Sequence, residues 1–577
     1  MRHTSLPTDT VRLGRMSRWI LVLVWLGLAA VVRPGWSSPA QWPRTRAERT
    51  GYRETSSHAD VVAFLEQLRA AGAPISVSTM GASDGGRSIP LVVATRPLTT
   101  DPVQAARDCK PVVYVQGNIH AGEVEGKEAM LMLLRDLAQE PAGRGLLDKL
   151  VLLTAPIYNI DGNEDLKPQA EHRSQQFGPE RVGRRSNGAG LDLNRDYIKL
   201  MAPETRGAME HVFIKWDPDV FLDLHATNGT LHGYQLTYAP PLNPNTEPSI
   251  LEYTRDRLLP GIRGRLRQRW GMETFDYGNI FVYGRPKPST DRIAWYAHSP
   301  EFRFSTSYVG LRNRIGILSE AMSHLSFRDR VEATYRFVRA ILEQVAQEAS
   351  TVLALTAQAD RTVVGWGRDP ARAPALGVRF AAASRGREAV LLEDYGDPNR
   401  LGRRDPARGP GPPEKVSEIM MPVYDRFVTT ETSRYPAGYV LASDLTEVVS
   451  LLQRHGVAVE RIEGDWETEA ETFMVETVKT RPRSYQGRQL CEVQGHFQSE
   501  RLAVRVGSFW VSTAQPLGIL IFSLLEPESI DGVAVWGFLA DHLQEGRRYP
   551  IWKCYQTPTG RTRSLDSAVE SAGCPER

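Results

Sequence analysis

At 577 residues the chain exceeds the size at which a single hydrophobic core stops growing, so at least two folded regions are expected. Hydrophobic residues at 41% and aromatics at 8% are ordinary globular composition, and 70 Lys+Arg against 68 Asp+Glu leave almost no net charge. That balance excludes nucleic acid as a principal partner, which would call for a basic surface.

The first forty residues differ in kind. Arg2, Arg12, Arg15 and Arg18 lead into the apolar run Trp19–Val32, shorter than the ~18 to 20 residues of a bilayer-spanning helix. Ser38-Pro39-Ala40 supplies small residues for cleavage before Gln41. Residues 1–40 are therefore expected to be a signal peptide, with the mature chain secreted or periplasmic and without stable membrane insertion. An uncleaved anchor is the competing reading, because Arg33 and Pro34 interrupt the cleavage region. Export permits disulfides among Cys109, Cys491, Cys554 and Cys574, but no CxxC pair occurs, so any metal must use His and carboxylate ligands.

From Pro111 to about Ala321, short apolar runs alternate with amphipathic stretches, the pattern of a mainly parallel sheet flanked by helices. Val112–Val115, Val151–Ile157, Val220–Leu224 and Ile315–Leu318 read as strands, and Glu128–Leu137 as a helix. His120, Asp161, His225 and Glu320 follow strand ends, where open α/β sheets present ligand-binding loops. After about Ser350 the texture changes, and Gly402–Pro413 reads as loop or linker. Ser443 is expected to cap a helix through His455 that Gly456 stops, with Val457–Ile462, Leu502–Val511 and Gly518–Leu525 as later strands. The regions are thus taken as 41–350 and 351–577, the second an α/β or β-rich region of unknown role.

His120-Ala121-Gly122-Glu123 places a His and a carboxylate three residues apart directly after a strand. A third ligand from another strand end, for which His225 is the natural candidate, would complete the three-ligand set of catalytic zinc. His232 and His211 compete for that place, and periodicity does not rule them out.

Between the candidate ligands lies Gly190-Leu191-Asp192-Leu193-Asn194-Arg195. HxxE, a GxDxNR segment, a lone His after a strand and a late Glu, in that order over roughly Ala47–Gln347, resemble the zinc carboxypeptidases of the carboxypeptidase A type. Gly81–Arg87 is similar to that family's Gly-rich hairpin, and Asn159-Ile160-Asp161-Gly162 to the loop after its second strand.

The resemblance implies one zinc ion per chain held by His120, Glu123 and His225, with Asp192 orienting a zinc histidine. Asn194 and Arg195 are implied to grip a substrate's terminal carboxylate, a task that suits a planar guanidinium. A further arginine is implied to polarise the scissile carbonyl, with Arg185 favoured over Arg181 and Arg184. Tyr308, rather than Tyr296, is taken as the substrate-contacting tyrosine, and Glu320 as general base.

The expected activity is zinc-dependent hydrolysis of C-terminal peptide bonds, on peptides with a free carboxylate. A zinc amidase or deacylase acting on cell-wall peptides or N-acyl amino acids is the first alternative, and an inactive binding protein the second. Side-chain specificity, oligomeric state and disulfide pairing are not legible in the sequence.

Overall fold

The four runs singled out as strands are wholly buried and occupy neighbouring places in one sheet, as continuous apolar segments flanked by helices require. The computed structural model describes residues 42–227, 229–280, 293–397, 400–404, 411–559 and 562–565. The expected signal peptide and Cys574 lie outside them. No helix among the described residues is long and apolar enough to cross a membrane.

The main sheet has eight strands: β1 (Ile75–Ala82), β2 (Ser88–Ala94), β3 (Val112–Gly117), β4 (Val151–Ala155), β5 (Val220–Ala226), β6 (Leu236–Ala239), β7 (Thr274–Asp276) and β8 (Ile315–Ala321). Their spatial order is β1-β2-β4-β3-β5-β8-β6-β7. The centre, β4-β3-β5-β8, is parallel, with antiparallel pairs where β2 meets β4 and β8 meets β6. In that register Glu320 on β8 lies opposite His225 on β5. The fold is mixed α/β with a mainly parallel centre and flanking helices.

The helix Glu125–Gln139 packs unusually close to the sheet. A Cβ on Gly126 would lie 2.7 Å from Leu224 Cβ, and one on Gly117 would lie 2.9 Å from the Pro156 carbonyl. Two glycines therefore let the helix press onto β3 and β5, which fixes where Glu123, just before the helix, can sit.

The C-terminal region holds a seven-stranded sheet that includes the long antiparallel pair Trp466–Thr480 and Cys491–Val504. Gly518–Leu525 is a wholly buried helix rather than a strand. An uninterrupted apolar run has no period to separate the two states, and burial on every side suits either. Leu502–Val511 is not one strand: a turn with Gly507 at φ 95° divides Cys491–Val504 from Phe509–Ser512. The helix near Ser443 starts later, at Thr446, with no side-chain cap, and ends at Arg454 before Gly456 (φ 84°). The strand after it is only Glu460–Ile462. Residues 405–410 of the expected linker lie outside the described residues. Ser350 falls inside the helix Ala349–Arg368, and Trp42–Arg577 forms one compact unit. Cys491 and Cys554 are free and buried, while Cys109 is disulfide-bonded.

Candidate active site

The turn after β3 brings the first two acidic and imidazole groups together. Asn118 takes a left-handed backbone (φ 64°), which asparagine tolerates, and its Nδ2 donates to the Ala121 and Glu123 carbonyls at 3.4 and 3.3 Å. The Glu123 amide donates to the His120 carbonyl at 2.8 Å, closing the turn with both side chains facing one point. His225 reaches the same point from β5.

There the two Nδ1 atoms are 3.1 Å apart, His120 Nδ1 is 3.2 Å from each Glu123 oxygen, and His225 Nδ1 is 2.9 Å from Oε2. A tetrahedral ion with bonds of ~2.1 Å would space its ligand atoms by roughly 3.4 Å, so the observed spacing fits such an ion with small adjustments. Among the described residues no other group of three His, Cys, Asp or Glu converges in this way. His232, one competitor, is buried elsewhere, and His211 is half-exposed.

The far nitrogens are also engaged. His120 Nε2 lies 3.0 Å from Asp192 Oδ1, and His225 Nε2 lies 3.0 Å from Asp223 Oδ2. Asn194 Nδ2 is 3.3 Å from His225 Nε2 but is itself a donor, because its Oδ1 accepts from the Ser305 amide at 2.9 Å. The His225 proton therefore belongs to Asp223. With a metal bound at that point, both rings would keep the Nε2 proton on their carboxylates and turn the Nδ1 lone pair inward, the arrangement metal-ligating histidines require. Asp223 was not singled out in the sequence, although its place two residues before His225 on a buried strand marks it.

The charges respond to this packing. Burial works to raise the Glu123 carboxyl, but His120 and Arg173 outweigh it and hold it well below the usual range. Asp192 is likewise held low by His120 and Arg185 against its burial. His225 is raised well above the ordinary imidazole value, since Asp223 and Glu123 override desolvation. Glu320 is pushed up to about 8 by burial, with His225 pulling the other way. A bound cation would draw it down further.

His120, Glu123, Arg185, Asn194, Arg195, His225 and Glu320 share one cavity of about 380 Å³. Arg185 donates from Nε to Asp192 Oδ2 at 2.9 Å, whereas Arg181 and Arg184 bind the Leu166 and Asn187 carbonyls and do not line it. The Arg195 guanidinium lies 4.4 Å over the Phe304 ring. Arg173 escaped sequence reading: it donates to Glu123 Oε1 at 2.9 Å and to the Ala226 and Thr227 carbonyls, yet nothing in its neighbours announces this.

Tyr308 is a correction. Its ring is fully buried and its hydroxyl lies 2.8 Å from His455 Nδ1, away from the cavity. Tyr296, the other candidate, stacks on Tyr424. The tyrosine on the cavity wall is Tyr277, beside His298, Phe304, Thr306 and Leu318. Asp161 is also outside the cavity; it binds Ser83, Gly85 and Arg87 and so braces the Gly-rich hairpin.

Residues 61–247 match the family model described as zinc carboxypeptidase, a span that holds all three clustered ligands but not Glu320. Carboxypeptidase 2 of Trichophyton tonsurans is 23% identical over 489 residues, covering 82% of this chain and 81% of the relative. A probable carboxypeptidase 2 of Trichophyton verrucosum is 31% identical over 145 residues, 25% of this chain and 24% of the relative. Among solved structures, a metallo-carboxypeptidase from Burkholderia cenocepacia aligns at TM-score 0.38 and 18% identity, over 51% of this chain and 71% of that one.

Proposed function

We propose that this chain, which belongs to the zinc carboxypeptidase family and is a metallocarboxypeptidase hydrolase, removes residues singly from the C-terminus of peptides, using one zinc ion held by His120, Glu123 and His225. The observation that carries the reading is the convergence of three inward-facing ligand atoms with a buried carboxylate and two arginines in one cavity.

Zinc, when bound, supplies a Lewis acid that polarises the scissile carbonyl and acidifies water. Glu320 accepts the proton of the attacking water and passes it to the leaving amine, a task for which its carboxylate is placed by the strand register that sets it opposite His225. Arg195 offers two parallel N–H groups to the terminal carboxylate, with Phe304 under the guanidinium fixing its plane. Arg185, tethered through Nε to Asp192 and with Nη1 3.6 Å from Glu123 Oε1, lines the cavity where it can turn a terminal N–H to the scissile carbonyl oxygen. Residues 1–40 act as an export signal in this reading, and N-terminal sequencing that finds them intact would remove it.

The test compares one peptide with a free and with an amidated C-terminus. The free form is expected to be trimmed one residue at a time and the amide to be cut poorly. Arg195→Ala is expected to erase most of that preference, because a desolvated guanidinium left without its anion forfeits a charge-assisted pair. Equal cleavage of both forms, or internal cuts, would sink the carboxypeptidase reading. Turnover confined to N-acyl amino acids or wall peptides would favour the amidase.

A further inference from the structure

The C-terminal region sends side chains to the immediate surroundings of both histidine-binding carboxylates. The turn between Trp466–Thr480 and Cys491–Val504 carries Gln486, whose backbone is left-handed (φ 51°) and whose Oε1 accepts from the Asp192 amide at 2.7 Å. Next to it, Gly487 lies against Met201 and Leu191. Asp192 is the carboxylate that takes His120 Nε2 and Arg185 Nε, and it opens the segment bearing Asn194 and Arg195.

A second contact is made from the other side. Asp531, fully buried, accepts from the Arg303 amide at 2.6 Å and from its Nε at 3.2 Å, while Trp536 Nε1 donates to the remaining oxygen at 3.0 Å. Arg303 leads directly into Phe304 and Ser305. Phe304 lies under Arg195, and Ser305 gives its amide to Asn194 and its hydroxyl to Asp223, the partner of His225.

We propose that residues 351–577 are a positioning element of the active site, in which Gln486 sets the Asp192–Arg195 segment and Asp531 sets the Arg303–Ser305 segment. The physical case is one of polar specificity. Adhesion between two regions needs only apolar burial, whereas these two contacts satisfy main-chain N–H groups at the residues that orient ligands and the carboxylate-binding pair. Each metal-facing histidine is thereby tied, through one carboxylate, to a separate point in the C-terminal region. The inference rests on the proposed roles of Asn194 and Arg195.

Gln486→Met keeps the length of the side chain and removes the acceptor. The turn that bears it is largely exposed, so folding is not threatened. On the peptide with a free C-terminus, kcat/KM is expected to fall roughly twofold to tenfold, mostly through KM, with melting temperature and metal content unchanged. Asp531→Asn, which weakens the second anchor, is expected to act in the same direction. Arg481→Ala cuts the exposed pair with Glu492 on the same hairpin and is expected to leave both constants alone. Parental kcat and KM in Gln486→Met overturn the proposal, whatever Asp531→Asn does. So does an equal loss in Arg481→Ala, which would mark a general effect of the hairpin. A parent enzyme indifferent to terminal amidation sinks the carboxypeptidase reading instead, while the Gln486 comparison stands on whichever peptide the parent cuts.

Discussion

Glu320 is the residue on which turnover should depend most sharply without loss of structure. It is almost fully buried at the end of β8, opposite His225 in register, and burial raises its proton affinity. Glu320→Gln is nearly isosteric but cannot take a proton, so it is expected to retain metal and lower kcat by ~10² to 10⁴. His225→Ala should instead lower bound metal well below one ion per chain. Metal analysis beside single-turnover kinetics separates the two, and near-normal turnover in metal-loaded Glu320→Gln would remove it from the mechanism. His120, Glu123, His225 and Glu320 were legible because each stands at the end of a recognisable strand and their order along the chain is distinctive. Arg173 was not: its contact with Glu123 spans 50 positions, and no local pattern predicts which surface-type cation is folded inward. Tyr308 was misplaced because its hydroxyl's partner, His455, lies 147 positions away.

At the level of elements, the end of the helix Thr446–Arg454 is pinned to the helix Ser305–Gly310 and to the loop at Ile198 by one neutral imidazole. His455 Nδ1 faces the Tyr308 hydroxyl, Nε2 faces the Ile198 carbonyl at 3.1 Å, and the His455 carbonyl accepts from Arg312. Burial pushes this imidazole down to about 3, and nearby Arg312 and Arg454 reinforce the shift. A folded pKa below the unfolded value of 6.5 means that the contribution is complete above about 6.5 and is lost as pH falls toward 3. His455→Gln, which cannot gain a proton, should therefore melt with a shallower pH dependence on the acid side. Melting temperatures of both proteins between neutral and acid pH test this, and parallel curves would refute it. The helix itself was foreseen because Gly456 stops it, but its start was not, since Ser443 offers a cap the chain does not use. Gly518–Leu525 shows the opposite limit: eight buried residues without a polar face carry no period to read.

For the whole molecule, the change of composition near Ser350 suggested separable regions, yet the packing crosses it repeatedly. Asn245 exchanges bonds with the Gly377 backbone at 2.8 and 2.7 Å, Asn313 reaches Asp360 and the Pro516 carbonyl, and Arg314 pairs with Asp360. One apolar cluster runs from Val61 to Ile551. None of this was visible in sequence, because composition reports texture and not contact. A region held by an independent core would melt alone, whereas one that shares buried polar partners leaves them unsatisfied when its neighbour departs. Residues 42–350 and 351–577 are therefore expected to unfold in a single transition. Loss of peptidase activity and loss of signal from a Trp510 reporter in the C-terminal sheet, followed in denaturant, should share one midpoint. A fragment ending at residue 350 should correspondingly fail to give folded enzyme, since it would expose Tyr308, Arg312 and Asn313 without their partners. Two resolved midpoints, or an active fragment, would show that the regions fold separately and that their polar contacts are only docking.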